Sequence, residues 1–304
     1  MACPVIGRLV RVVSLSFGQG KSLDEVSNII NAAVTGSCDI IALPEVWRGQ
    51  GIGTQETLDG LTIRRMTELA RAHHTYIVCP LDRSDGERRH NTSVLLDRRG
   101  QVVGYYDKAY PYWSEFDLNP AVQPGRDIPV FETDFGRFGL AICFDANFPE
   151  VWQRLADQGA ELVIWSSAYS AGTTLQAYAL MHHYYIVTST LVCDCMAYDI
   201  TGQELYYQHH PGLNISRIVL DLDRGIYHEN FNIANREHLL SEHGEEVVKE
   251  LVLAREQWFV LKARKAGISA RALAHEYGLE ELRDYVNRSC VEIDSKRGSS
   301  IMKA

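Results

Sequence analysis

Residues 137–152, RFGLAICFDANFPEVW, constrain the fold more than any other stretch of this chain. The mostly apolar run from Phe138 to Ile142 reads as a buried strand, and Pro149, Glu150, Val151 and Trp152 open a helical pattern that continues to Gln158. Cys143 therefore stands where a strand ends and a turn begins. In an open α/β sheet sites form at such carboxyl ends, because unpaired N–H groups of the following turn converge there. A thiol held in that turn has donors beside it for an oxyanion. A cysteine considered alone is more often a core filler, so its companions decide the matter.

Two other apolar runs close in the same way. The strand Cys38 to Leu43 delivers Glu45 in IIALPEVW. The hairpin Asn91–Asp97 and Gln101–Tyr106, turning at Arg98-Arg99-Gly100, delivers Lys108 in YYDKAYPYW. One at a time these are a helix-capping or exposed carboxylate and a surface lysine. Together, in this order and with these flanks, Glu45, Lys108 and Cys143 resemble the catalytic triad of the nitrilase superfamily of carbon-nitrogen hydrolases. By order of elements the likeness covers roughly residues 8–225. It implies an α/β fold, a four-layer α-β-β-α sandwich, with a hydrolase domain over 1–235. Residues 236–304 are expected to form a helical extension that packs against a second subunit of a homo-oligomer.

The remaining pattern fits alternating strands and helices. Residues 8–17 read as a strand, and Ser22-Leu23-Asp24-Glu25 as a capping box opening a helix to about Val34. The loop RGQGIGTQETLDG lacks the Lys-Ser/Thr of a phosphate cradle and reads as a mobile cover over the site. A helix over Leu61–His74 and a strand over Tyr76–Leu81 precede the hairpin; a long irregular segment, Tyr110 to Arg126, follows it. After the Cys143 turn come the strand GAELVIWSS, a helix Thr173–His183, a strand Tyr184–Leu191, a hairpin Cys195–Tyr207 and a last strand Ile215–Leu220. GAELVIWSS echoes GSCDIIALPE, which suggests two related layers. Glu245–Ala266 is expected to be a helix, with shorter helices over Ser269–Tyr277 and Glu280–Arg288. Their spacing resembles a helix-turn-helix, but a net charge of -9 has the wrong sign for a nucleic-acid partner and for an anionic membrane.

Composition narrows the rest. No apolar run approaches the ~20 residues of a membrane span, and the start of the chain lacks a signal pattern, so a cytoplasmic protein is expected. Seven scattered cysteines, with Cys193 and Cys195 one residue apart, fit neither zinc nor a redox pair. Adjacent histidines, 182–183 and 209–210, point apart on a helix or strand, so no metal is expected, and the chemistry requires no cofactor.

An amide is a poor electrophile with a poor leaving group. Its hydrolysis needs a strong nucleophile, an oxyanion clamp and a proton for the amine. Cys143 supplies the first; Glu45 would act as general base and then acid. Lys108, worth about 4 kcal/mol to an anion at ~4 Å in an effective dielectric of ~20, would favour the thiolate and the oxyanion, with the Phe144 N–H as second donor. Glu115 resembles the second glutamate that many superfamily members set beside the lysine, orienting it or the substrate amide. CFDANFPEVW is most similar to the aliphatic amidase and formamidase branch. Nitrilases proper usually carry Trp-Glu where Phe144-Asp145 stand, and N-carbamoyl-D-amino-acid hydrolases place arginines shortly after the nucleophile, where this chain offers Asp145, Ala146 and Asn147. Tyr110, Trp113, Phe144, Asn147, Phe148, Trp165 and Tyr169 are candidates to line the pocket for an uncharged acyl group. A nitrilase, an N-carbamoyl amide hydrolase and a catalytically silent assembly protein of the same fold are the alternatives.

Overall fold

The computed structural model describes residues 5–298. Its chain divides into two compact units: Val10–Leu220, and the short segment before Val10 together with residues from Asp221 onward.

The larger unit is two halves of like topology. In the first, strand β1 (Leu9–Phe17), helix α1 (Leu23–Ala33), β2 (Ile40–Ala42), α2 (Leu61–His73), β3 (Tyr76–Ser84), β4 (Arg89–Leu96) and β5 (Val102–Asp107) follow one another. A single turn of helix, α3 (Trp113–Phe116), and a strand β6 (Val130–Thr133) lead to the second half. That half runs β7 (Gly136–Ile142), α4 (Pro149–Asp157), β8 (Leu162–Ser167), α5 (Gly172–His182), β9 (Tyr185–Thr190), β10 (Asp194–Tyr198) and β11 (Glu204–His209), and β12 (Leu213–Asp221) closes the unit. The sheets are ordered β12-β1-β2-β3-β4-β5 and β11-β10-β9-β8-β7-β6. In each, three parallel strands joined by helices are extended by an antiparallel hairpin. The two echoing runs are the middle strands of the parallel triplets, β2 and β8. A second echo, His-His-x-Tyr-Ile-Val, recurs at 73–78 and 182–187, where His74 and His183 take left-handed φ of 50° and 54° to end α2 and α5. The paired histidines are thus helix stops.

Helices α1 and α2 bury Val26, Ile30, Ile63 and Met66 on one sheet, against Ile41, Leu43 and Ile77. Helices α4 and α5 bury Trp152, Leu155, Leu175 and Ala179 on the other, against Val163 and Ile186. The inner faces meet through small hydroxyl side chains: Ser14 Oγ donates to the Thr188 carbonyl at 2.6 Å, Ser189 Oγ to the Leu15 carbonyl at 2.6 Å, and Ser166 Oγ to the Leu43 carbonyl at 2.8 Å. Small residues let the two backbones come close, and each buried hydroxyl still finds an acceptor. This is the four-layer α-β-β-α sandwich expected.

The smaller unit departs from expectation. Residues 245–266 are not a helix: Val247–Leu253 and Trp258–Ala263 form a hairpin, β14 and β15, with β13 (Gly225–His228) added along β15. Ala254–Gln257 makes the turn, with Gln257 at φ 57°. The apolar spacing that imitates a helix is carried by Val, Leu, Trp and Phe, residues that a strand accommodates at least as well. The helices here are α6 (Glu229–His243), which the sequence reading did not assign, α7 (Ala270–Glu276) and α8 (Leu282–Arg297). Of α6 only Asn232 and Leu239 are buried, so its periodicity is faint. Among the described residues no helix is long and apolar enough to cross a membrane.

Candidate active site

The site lies within the larger unit, where the carboxyl ends of β2, β5 and β7 converge. Glu45, Lys108, Glu115 and Cys143 are 2%, 1%, 5% and 8% exposed. Lys108 Nζ donates to Glu45 Oε1 at 2.8 Å and to Glu115 Oε2 at 2.7 Å. Asn91 Nδ2 bridges the same two carboxylates, 2.7 Å from Glu45 Oε1 and 2.8 Å from Glu115 Oε1. Glu115 also accepts from Gln50 Nε2 at 3.0 Å and the Tyr112 N–H at 2.7 Å. Glu45 Oε2 has no hydrogen-bond partner among the described residues. One oxygen of Glu45 is therefore held by donors while the other is left free for proton transfer.

Cys143 opens a short 3-10 turn, Cys143–Asn147, at φ 46°, and Val46, directly after Glu45, has φ 32°. Such backbone costs of the order of 1–3 kcal/mol per residue and persists only where surroundings over-determine it. Around Cys143 they do. Asp145 accepts from the Ile142 N–H at 2.9 Å, from Tyr106 Oη at 2.8 Å and from the Tyr110 N–H at 3.0 Å, so one carboxylate ties the cysteine turn to the segment beyond Lys108. Trp165 Nε1 donates to the Cys143 carbonyl at 3.1 Å, and Trp152 Nε1 to the Asp145 carbonyl at 3.0 Å.

The charges set the resting protonation. Burial first, and then the Glu45 carboxylate, push the Cys143 thiol up to about 12; Lys108 and the Ala168 backbone N–H pull only partly the other way. Burial, the largest of these influences, and Glu45 thus act against the thiolate, while Lys108 acts for it. Burial opposes the Lys108 ammonium, but Glu45, Cys143 and Glu115 outweigh it and leave its pKa raised. For Glu115 burial acts upward, yet the Lys108 charge and the bonds from Lys108, Asn91 and Gln50 hold its carboxyl below the ordinary 4.5. Burial pushes Asp145 up to about 7 against the pull of Lys108 and its three donors.

The aromatic candidates divide. Tyr110 stacks on Phe148 at 3.7 Å between centroids, and Phe144 meets Phe148 and Tyr112 edge-on at 5.3 and 5.2 Å, forming one wall. Burial first, and then the Cys143 charge, push the Tyr169 hydroxyl up, and its ring meets Trp165 edge-on at 5.3 Å between centroids. Asn147 is exposed, its amide donating to the Phe144 carbonyl at 3.2 Å. Trp165 is fully buried and supports the turn from behind, whereas Trp113 is 75% exposed and touches Phe116. The glycine-rich loop is tied down as well: Glu56 pairs with Arg83 as an isolated bridge and Gln50 reaches Glu115. Sequence reasoning missed Asn91, Gln50, Asp145 and Tyr106. In sequence Asn91 shows only as part of a polar run, Arg89–Ser93; that this run lies in a strand buried throughout emerges from the fold.

The carbon-nitrogen hydrolase family model matches residues 14–219. The chain belongs to that family. Among curated relatives, a β-ureidopropionase of Arabidopsis thaliana is 30% identical over 48% of this chain and 39% of its own length. A deaminated glutathione amidase of Synechocystis is 27% identical over 55% of this chain and 70% of its own. The match thus takes in about two fifths of the Arabidopsis relative. Among solved structures, Nit3 of Saccharomyces cerevisiae superposes with TM-score 0.63 at 18% identity, over 77% of this chain and 97% of that one. An amidase of Nesterenkonia sp. AN1, carrying the acetamide moiety of fluoroacetamide on its active-site cysteine, superposes with TM-score 0.63 at 21% identity, over 73% and 93%. At these identities the likeness speaks for the fold.

Proposed function

We propose that the chain hydrolyses a small uncharged amide to acid and ammonia through a thioester on Cys143. The observation that carries this reading is an ammonium, Lys108 Nζ, clamped between two buried carboxylates next to a buried thiol at a strand end. As Sγ attacks the amide carbonyl carbon, Glu45 takes the thiol proton on its free oxygen. A thiol pKa raised by burial favours this concerted transfer over attack by a pre-formed thiolate. The tetrahedral oxyanion is stabilised by Lys108 and the Phe144 N–H. Collapse breaks the C–N bond, and Glu45 returns its proton to the departing nitrogen, which leaves as ammonia. Water then attacks the thioester, with Glu45 as base, and releases the acid and the thiol. Asn91 and Glu115 hold the acid and the ammonium in register.

The Tyr110, Phe144 and Phe148 wall supports an uncharged acyl group. A homo-oligomer is part of the same reading: α5 leaves Leu180 and Met181 exposed, apolar surface that suits a subunit contact. The test is ammonia release across small amides, carbamoyl compounds and nitriles, with Cys143→Ala as control. Release from an amide by the wild type alone supports the proposal. Equal release by both proteins refutes it, and release from nitriles alone makes the chain a nitrilase.

A further inference from the structure

Beneath the site lies an ion pair that the reaction does not use. Arg89, at the start of β4, donates from Nε to Asp82 Oδ1 at 2.8 Å and from Nη2 to Asp82 Oδ2 at 2.6 Å, a bidentate fork with both side chains almost wholly buried. The guanidinium has donors to spare. Nη2 also reaches the Gly51 carbonyl at 2.9 Å and Nη1 the Pro120 carbonyl at 3.4 Å. Gly51 follows Gln50, whose amide holds Glu115. Pro120 belongs to the segment that carries Glu115, and the Arg89 carbonyl accepts from the Gln123 N–H at 2.7 Å in that same segment. Asp82 grips the first loop as well, accepting from Thr54 Oγ1 at 2.5 Å and, through its carbonyl, from the Glu56 N–H at 2.9 Å.

We propose that the Asp82–Arg89 pair is a positioning element, which sets the spacing of the Gln50 loop and the Glu115 segment and so holds Glu115 against Lys108. This rests on the amidase reading for its kinetic consequence, though not for its geometry. Only a planar fork with five donors meets a carboxylate and two loop carbonyls at once; a lysine ammonium in its place keeps the charge and loses that reach. A buried ion pair is a poor source of net stability compared with apolar residues of like volume. Its cost is better explained by the geometry it fixes, for it is a rigid side-chain anchor that binds both loops at once, beside the backbone bonds and the Gln50–Glu115 bond that also tie them. Asn91 lies two residues beyond Arg89 on the same face of β4, so the strand that anchors the loops also bridges the two carboxylates.

The test is a double-mutant cycle between Arg89→Lys and Glu115→Gln. It has two readouts: steady-state ammonia release from propionamide, and the rate of Cys143 alkylation by iodoacetamide followed by intact mass, which needs no turnover. The proposal expects Arg89→Lys alone to lower kcat at least tenfold with KM changed less than threefold. In the Glu115→Gln background the same change should lower kcat less than twofold, because the group it positions is already gone. An equal tenfold loss in both backgrounds, or a loss that only follows a lower melting temperature, overturns it. Should Arg89→Lys fold poorly, the charge-free pair Asp82→Asn with Arg89→Met enters the cycle in its place, with the same two outcomes. If propionamide is not hydrolysed by the wild type, the amidase reading suffers, and coupling in the alkylation rates alone decides the positioning role.

Discussion

Glu115→Gln is the most informative single substitution, because the structure assigns each of its hydrogen bonds. All four partners of the carboxylate are donors: Lys108 and the Tyr112 N–H on Oε2, Asn91 and Gln50 on Oε1. Whichever oxygen becomes an amide nitrogen, two bonds turn into contacts between donors. The Asn91 amide cannot simply rotate to adapt, since the same nitrogen serves Glu45. Hydrogen bonds to a charged acceptor are worth about 1.5–3 kcal/mol each, so two of them represent at least about 3 kcal/mol. Part of that is offset, because Lys108 keeps one carboxylate partner for its one charge. A net loss of about 2 kcal/mol lowers the melting temperature by about 3 °C in a chain of this size, at an unfolding entropy of about 2.1 cal/mol/K per residue. The kinetic effect is larger in proportion. A lysine released on one side moves by a fraction of an ångström to an ångström, and misplacement of that order costs about 100-fold in rate. The expected result is kcat down about 100-fold with KM within about threefold, measured by ammonia release alongside calorimetric melts. A variant with kcat within threefold of wild type and a lowered melting temperature would leave Glu115 a structural carboxylate and refute the reasoning.

Three other outcomes follow from the same geometry. With its thiol pushed up to about 12 by burial and by Glu45, Cys143 should be alkylated by iodoacetamide at a rate that rises through pH 10 without a plateau; a plateau near pH 7 would indicate a resting thiolate. Asp145, raised by burial from 3.8 to about 7, binds a proton more readily folded than unfolded, so its contribution to stability falls as pH rises between those values. The difference is as much as about 4 kcal/mol, and melts of wild type against Asp145→Asn should show a steeper decline over that range in the wild type; parallel curves would contradict it. Glu115 has the opposite sign: its depressed pKa adds stability that is complete above its ordinary 4.5 and disappears as pH falls below it. In Glu115→Gln the acid limb of the stability profile should be correspondingly shallower, and an unchanged limb would count against the assignment.

The parts of this molecule legible in its sequence are those with local causes. Glu45, Lys108 and Cys143 each end a strand-like run, so their placement at strand ends has a local cause; β2 and β5 belong to one sheet and β7 to the other, so their convergence needs the packing of the two sheets as well. The capping box of α1 is local too: Ser22 Oγ accepts from the Glu25 N–H at 3.2 Å and Glu25 accepts from the Ser22 N–H at 2.8 Å. What was not legible depends on contacts between distant segments. Arg89 reads as one member of a charged turn, DGERRH, until the fold brings Asp82, Gly51 and Pro120 around it. Asn91 looks like a strand end and is in fact the bridge between two carboxylates. Trp165 reads as a pocket aromatic but is consumed in holding the Cys143 carbonyl. Residues 245–266 failed for another reason: over a short span, Val248, Leu251, Val252 and Phe259 satisfy helical spacing by coincidence, and the Ala254–Gln257 turn carries neither glycine nor proline to announce itself.

Acid-quenched intact-mass spectrometry of the enzyme during turnover of its best amide tests the central claim most directly. The account predicts a mass gain equal to the amide minus ammonia, borne on the peptide that contains Cys143 and absent from Cys143→Ala. Undiminished turnover by Cys143→Ala, or an acyl group found on any other residue, would contradict it.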